Sequence, residues 1–188
     1  MAGPVGLWAM LWGDAGQYHE VRVGAATCWI PCDKPRALTR LLGMDDVTVS
    51  AVPRTAKDPF ALAKAWVLWA RLESPDSARR LSRLPTGPSL VAREGGSSRR
   101  TALWALSEPL QGDWITRATE RLAHALKGRR GAADASALIV SPFTRITAGR
   151  SKPSKVYVEY ESDVRTTARQ IVGGLPDAPP KDGWRQAA

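Results

Sequence analysis

Histidine and cysteine are scarce in this 188-residue chain, two of each, and that scarcity removes whole classes of chemistry. A metal centre of thiolates and imidazoles needs three or four ligands. Cys28 and Cys32 flank Trp29-Ile30-Pro31, one residue wider than a thioredoxin-type pair, and no other Cys or His clusters with them in the sequence. They are expected to be reduced, partly buried thiols. His19 and His124 are the only imidazoles, so no Ser-His or Cys-His hydrolase constellation can be drawn. Gly95-Gly96-Ser97-Ser98 lacks the lysine and following helix of a phosphate-cradling loop. Long hydrophobic runs are also missing. The apolar stretch at 5–12 is too short to cross a bilayer and has no basic residues ahead of it, unlike a signal peptide. It is expected to be a core helix ending at Gly13 and Gly16, in a cytoplasmic protein.

Positive charge is what the chain has in excess. There are 27 Lys and Arg against 18 Asp and Glu, a formal charge of +9 and a pI near 10.1. A polyanion is therefore the expected partner, and nucleic acid is the commonest one. An anionic membrane surface would need a basic amphipathic helix or a lipid anchor, and neither stands out. With 44% hydrophobic and 24% charged residues, the composition is that of a globular domain. One sizeable core fits this length. A single domain is expected over 1–175, with a proline-rich, flexible tail over 176–188.

Local patterning alternates strands and helices. Residues 18–29 and 46–52 alternate as strands. Residues 34–42 read as a short amphipathic helix stopped by Gly43. The apolar run 65–72 reads as a buried strand, followed by a helix at 77–84 that carries Arg79, Arg80 and Arg83. Residues 88–110 read as strand, glycine-serine turn, strand and proline stop. Ile115, Ala118, Leu122 and Leu126 keep helical spacing over 113–126. Residues 132–140 read as a short helix or turn, 155–161 as a strand and 164–172 as a closing helix. Trp8, Trp66, Trp69 and Trp104 are expected in the core, with Trp184 in the tail. The sum is an α+β fold with a mixed or antiparallel sheet flanked by helices.

The 88–110 hairpin resembles the core hairpin of the archaeo-eukaryotic primase superfamily, the primase-polymerase domains of phages and plasmids. Glu20-Val21-Arg22, Val52-Pro53-Arg54 and Val156-Tyr157-Val158-Glu159-Tyr160 before Gly173-Gly174-Leu175-Pro176 resemble further segments of that family, in the same order. The resemblance runs from about residue 16 to 175 and implies an RRM-like core. It also implies two carboxylates one residue apart on a strand, aimed by alternation at a pair of divalent cations. Arg71 and Glu73 stand at those positions, and an arginine repels a cation. The family's phosphate-contacting histidine is Thr101 here, beside Arg99 and Arg100. Asp134 stands where a third carboxylate is expected, ahead of Ser141-Pro142-Phe143-Thr144.

The resemblance therefore implies a polymerase scaffold with degenerate chemistry. Glu73 and Asp134 are the candidate catalytic residues, in vestigial form, and either also reads as an ordinary helix-start or capping acid. Arg71, Arg99, Arg100, Thr101, Arg129, Arg130, Arg145, Arg150, Lys152 and Lys155 are the candidate nucleic-acid contacts, each equally readable as solvated surface. No metal or other cofactor is expected, with Mg or Mn needed only by an active enzyme. DNA is favoured over RNA as partner, and no membrane is involved. The expected function is an inactive, nucleic-acid-binding accessory to replication of a phage or mobile element. Two alternatives stand beside it: a divergent active DNA primase-polymerase, and a module that binds a host or replisome protein.

Overall fold

The structure, a computed structural model, describes residues 16–147 and 152–179. The helix expected at the N-terminus, Trp8, Arg150 and Trp184 lie outside the described residues. In chain order the strands are β1 (Tyr18–Val23), β2 (Ala26–Pro31), β3 (Val47–Ser50), β4 (Ala65–Leu72), β5 (Leu90–Glu94), β6 (Arg100–Leu110), β7 (Leu138–Val140), β8 (Arg145–Ile146) and β9 (Ser154–Glu161). The α-helices are α1 (Pro75–Leu81), α2 (Asp113–Ala125) and α3 (Ala168–Val172), with 3-10 turns at Pro35–Leu41 and Arg130–Ala132. Two sheets form, ordered β2-β1-β3-β7 and β4-β6-β5-β9-β8, and every strand pair in them is antiparallel. The α+β class read from the sequence holds. No helix among the described residues is long and apolar enough to cross a membrane.

Four local expectations are corrected. The strand expected over 18–29 is a hairpin, because Gly24 takes a φ of +57° and turns the chain back; glycine reaches that region without strain. The helix at 34–42 is a 3-10 turn with Pro35 near its start. Residues 138–140 are a strand, drawn onto β3 by the Val49–Ile139 pairing. The closing helix starts only at Ala168, because Thr166 is held extended by its backbone N–H on Ala105 O, 3.1 Å away. Thr167 and Gln170 then cap each other's backbone. Among the tryptophans, Trp69 and Trp104 are fully buried, whereas Trp66 is half-buried. Cys28 is exposed rather than partly buried.

Burial follows strand alternation. Val21, Val49, Val67, Trp69, Leu90 and Leu103 belong to one core that draws on both sheets. The opposite face of the second sheet, through Leu68, Ala70, Ala102 and Trp104, packs on α2 and α3. In the segment 176–179, Asp177 pairs with Arg121 of α2 at 3.2 Å and Pro179 O accepts from Arg130 Nη2 at 2.9 Å.

An ion pair, Arg54 with Glu20, lies wholly inside. The Arg54 side chain, 0% exposed, donates from Nη1 to Val52 O at 2.8 Å. Its Nη2 donates to Glu20 Oε2 at 3.1 Å and to Ser136 O at 2.9 Å. Arg22 caps the other oxygen of Glu20 at 2.8 Å. Arg54→Leu leaves the Glu20 carboxylate buried without its buried partner, with the half-exposed Arg22 remaining. It is expected to cost about 3–5 kcal/mol, seen as a lower urea midpoint.

His19 supplies the pH dependence. Burial first, and the neighbouring Arg54 charge second, hold its imidazole down to about 4 from 6.5. Between those values the unfolded chain binds a proton that the folded one refuses. Its contribution is intact above pH 6.5 and is lost as pH falls, by about 3 kcal/mol at pH 4. His19→Gln is expected to flatten the stability profile between pH 7 and 4 in urea titrations.

Candidate nucleic-acid interface

The inward face of the second sheet changes character along its length. Val67 and Trp69 on β4, Leu90 and Ala92 on β5, and Leu103 on β6 are core. One alternation step further, the same rows present Arg71, Glu94 and Thr101. Arg71 and Thr101 are direct cross-strand partners, and Thr101 also lies opposite Ala92. The positions that the sequence matched to a strand carboxylate and a histidine thus sit side by side.

Two carboxylates and two guanidinium groups close a ring there. Arg71 lies 2.9 Å from Glu73 Oε1 and 3.4 Å from Glu94 Oε1. Arg99 lies 3.0 Å from Glu73 Oε2 and 3.9 Å from Glu94 Oε2. Each carboxylate therefore divides its two oxygens between the two arginines. Glu94 is 6% exposed and Glu73 32%, so one side of the ring is buried and the other open to solvent. The resemblance implies a pair of divalent cations at this place, which needs several carboxylates turned to one point. Among the described residues no three His, Cys, Asp or Glu come together as ligands. The residues present do not fit a two-metal centre.

Local structure brings further cations to the same end of the sheet. After α2, Lys127 takes a φ of +50°, and Gly128 passes so close to β4 that a Cβ would stand 2.6 Å from Arg71 O. Arg129 N then donates to that carbonyl at 2.8 Å, leaving the exposed Arg129 side chain beside the cluster's strand. The β5–β6 turn carries Arg99. Gly95 N donates to Lys155 O at 2.8 Å, which sets the start of β9 against the turn. Lys155 is opposite Arg145 of β8, itself paired with Asp45 at 2.6 Å. Lys152, exposed, precedes β9.

Other candidates go elsewhere. Arg100 is next to Thr101 and so points to the opposite face, where Nε donates to Glu159 at 2.6 Å. Arg130 lies 3.9 Å from Glu120 of α2. Asp134, exposed, accepts from Ser136 N at 2.8 Å and Ser136 Oγ at 2.5 Å, and its charge is felt by Arg54. Glu94 was missed by the sequence reading. Its signal was the alternation Leu90, Ala92, Glu94, which puts a carboxylate on the core face.

The sequence matches no protein-family model and no curated protein. Solved structures do match. The AEP domain of the cyanophage S-2L primase-polymerase aligns at 12% identity and a TM-score of 0.62, over 85% of this chain and 88% of that one. Primase RepB′ aligns at 14% identity and a TM-score of 0.64, over 89% of this chain and 58% of that one. The catalytic domain of primase RepB′, in complex with initiator DNA, aligns at 16% identity and a TM-score of 0.57, over 81% and 80%. The chain thus spans little more than half of primase RepB′. At these identities the likeness is one of architecture: the chain has the fold of a primase-polymerase domain.

Proposed function

We propose that this chain is a nucleic-acid-binding protein built on the primase-polymerase fold, without nucleotidyl-transfer chemistry, that serves DNA replication in a phage or other mobile element. The observation that carries this reading is the ring of Arg71, Glu73, Arg99 and Glu94. Its guanidinium groups sit on the carboxylate oxygens that a metal would require. The ring is neutral in sum, so it gains nothing from a divalent cation and is stable without one. No Mg or Mn is needed by the protein in this reading.

Around the ring, Arg129 and Lys152 are exposed and have no carboxylate partner among the described residues. Together they offer a phosphate backbone a cationic edge that reads no sequence. DNA is the partner favoured, because one fold neighbour is a primase domain in complex with initiator DNA. The mobile-element setting is supported by the cyanophage neighbour.

Fluorescence anisotropy with duplex DNA over a salt series tests the binding. Affinity is expected to fall steeply and linearly in log–log form, and Arg129→Ala with Lys152→Ala to make the slope shallower by about two. Binding that ignores salt would sink the reading and turn attention to a protein partner.

A metal titration tests the chemistry. The native chain is expected to bind no Mn²⁺ by calorimetry and to extend no primer. Arg71→Asp, which sets a second carboxylate two residues before Glu73, is expected to create measurable Mn²⁺ binding. Manganese-dependent extension by the native chain, abolished by Glu73→Ala, would show an active polymerase instead.

A further inference from the structure

The face of the second sheet that looks away from the first is only partly covered. Residues of β4, β5 and β6 pack there on α2 and α3, and none of that cluster comes from β9. Two tyrosines of β9 stand in the uncovered part, Tyr157 at 46% exposure and Tyr160 at 51%. They are three residues apart, which in a regular strand puts them on opposite faces. The β5–β9 register shifts between Val91 and Ala92, so Tyr157 lies opposite Arg93 and Tyr160 opposite Val91. Arg93 and Val91 share a face of β5. The irregularity thus turns both phenol rings outward together, a known use of strand bulges.

Cations surround these rings. A groove of about 530 Å³ runs between α1 and the sheet, lined by Pro75, Ala78, Arg79, Val91, Arg100 and Tyr160 among others. Arg79 is 74% exposed at its edge. Arg93 and Arg100 are held on Glu159 at 3.3 and 2.6 Å, and the Arg100 hydrogen bond keeps the Glu159 carboxyl below the usual range. Asp76, paired with Arg79 and Arg80, and Glu159 are the acids here. Arg79, Arg80, Arg93, Arg100 and Lys155 exceed them.

The geometry points to this outer face as a binding surface for single-stranded nucleic acid, with bases stacked on Tyr157 and Tyr160 and phosphates on Arg79 and Arg93. Exposed aromatic rings among arginines recognise unpaired bases, because each base offers a π-face and each linkage a negative charge. A duplex has its bases already stacked and gains only the cations. Their partners Val91 and Arg93 are two residues apart on β5, so the two rings are separated by about 7 Å along the strand at 3.3 Å per residue, and an extended strand is needed to reach both. The apolar floor of Pro75, Ala78 and Val91 beside Tyr160 gives a flat base a dry seat. This surface is separate from the inward ring and does not rest on the reading of that ring.

Anisotropy with single-stranded and duplex oligonucleotides of equal length, on the whole chain, tests it. Tyr157→Ala with Tyr160→Ala is expected to weaken single-strand binding by about 10-fold or more, with duplex affinity changed less than about 2-fold. Tyr157→Phe with Tyr160→Phe is expected to retain single-strand binding, since stacking needs the ring and not the hydroxyl. Arg129→Ala with Lys152→Ala is expected to weaken both forms alike. Unchanged single-strand affinity in the alanine pair, or equal losses for both forms, would overturn this surface while leaving the inward edge standing. Loss only in the alanine pair, with the Arg129 and Lys152 variant unaffected, supports the surface and removes the inward edge. A native chain that binds neither form overturns both.

Discussion

The guanidinium of Arg54 is the fixed point of the first sheet. It is buried completely, and it reaches β1 through Glu20, the end of the β3 segment through Val52 O and the loop before β7 through Ser136 O. Its own backbone bridges to Tyr18, with N donating to Tyr18 O at 2.7 Å and O accepting from Tyr18 N at 3.0 Å. Three segments distant in sequence are thereby set in one register. A buried ion pair of this kind is weak as a source of net stability but costly to break by halves. Its value is that both terminal nitrogens of the guanidinium find acceptors only when β1, the Val52–Arg54 segment and the 134–136 loop are brought together. That arrangement also determines the fate of Asp134. With Ser136 O taken by Arg54, the loop folds back so that the Asp134 carboxylate accepts from Ser136 N and Oγ, and its charge is spent beside Arg54.

The second sheet solves a different electrostatic problem at its open end. Glu94 is nearly buried, and Glu73 lies close enough to share arginines with it. Two carboxylates so placed repel each other and need positive charge beside them. Arg71 and Arg99 provide it, each as a planar, delocalised cation that meets a carboxylate oxygen. Arginine at position 71 supplies positive charge to this pair from within the chain, and Arg99 completes it across the hairpin turn.

Much of this was readable from the sequence where one face of a strand is buried. β4, β5, β6, α2 and β9 announced themselves through alternation or helical spacing, because each has a continuous apolar row. The β1–β2 hairpin was not separable, since the alternation runs on through Gly24 and Ala25 and nothing in β2 is buried deeply enough to break the pattern. β7 has only three residues, and its identity as a strand is set by β3 rather than by its own sequence. At the site, the side-by-side placement of positions 71 and 101 comes from the β4–β6 pairing, which no local pattern announces. Glu94 was legible by the same alternation and went unread. Arg100 could have been assigned to the outer face by its parity with Thr101. The role of Gly128 was hidden, because the close approach to Arg71 O depends on how α2 lies over β4.

The hairpin turn joins the two faces that these charges divide. Glu94 and Arg99 on either side of it belong to the inward ring, while Arg100, one residue on, belongs to the outer arginines on Glu159. Gly95 in the turn has no side chain, and a Cβ there would stand 2.5 Å from the Tyr157 hydroxyl and 2.9 Å from Lys155 O. The turn must therefore be bare for β9 to close against it. If it were not, Tyr157 and Lys155 would be pushed outward together, and the strain would fall on Glu94 and Arg99 as well. The glycine-serine composition that first marked this segment as a turn is thus what lets one sheet present a closed ion ring on one side and open aromatic rings on the other.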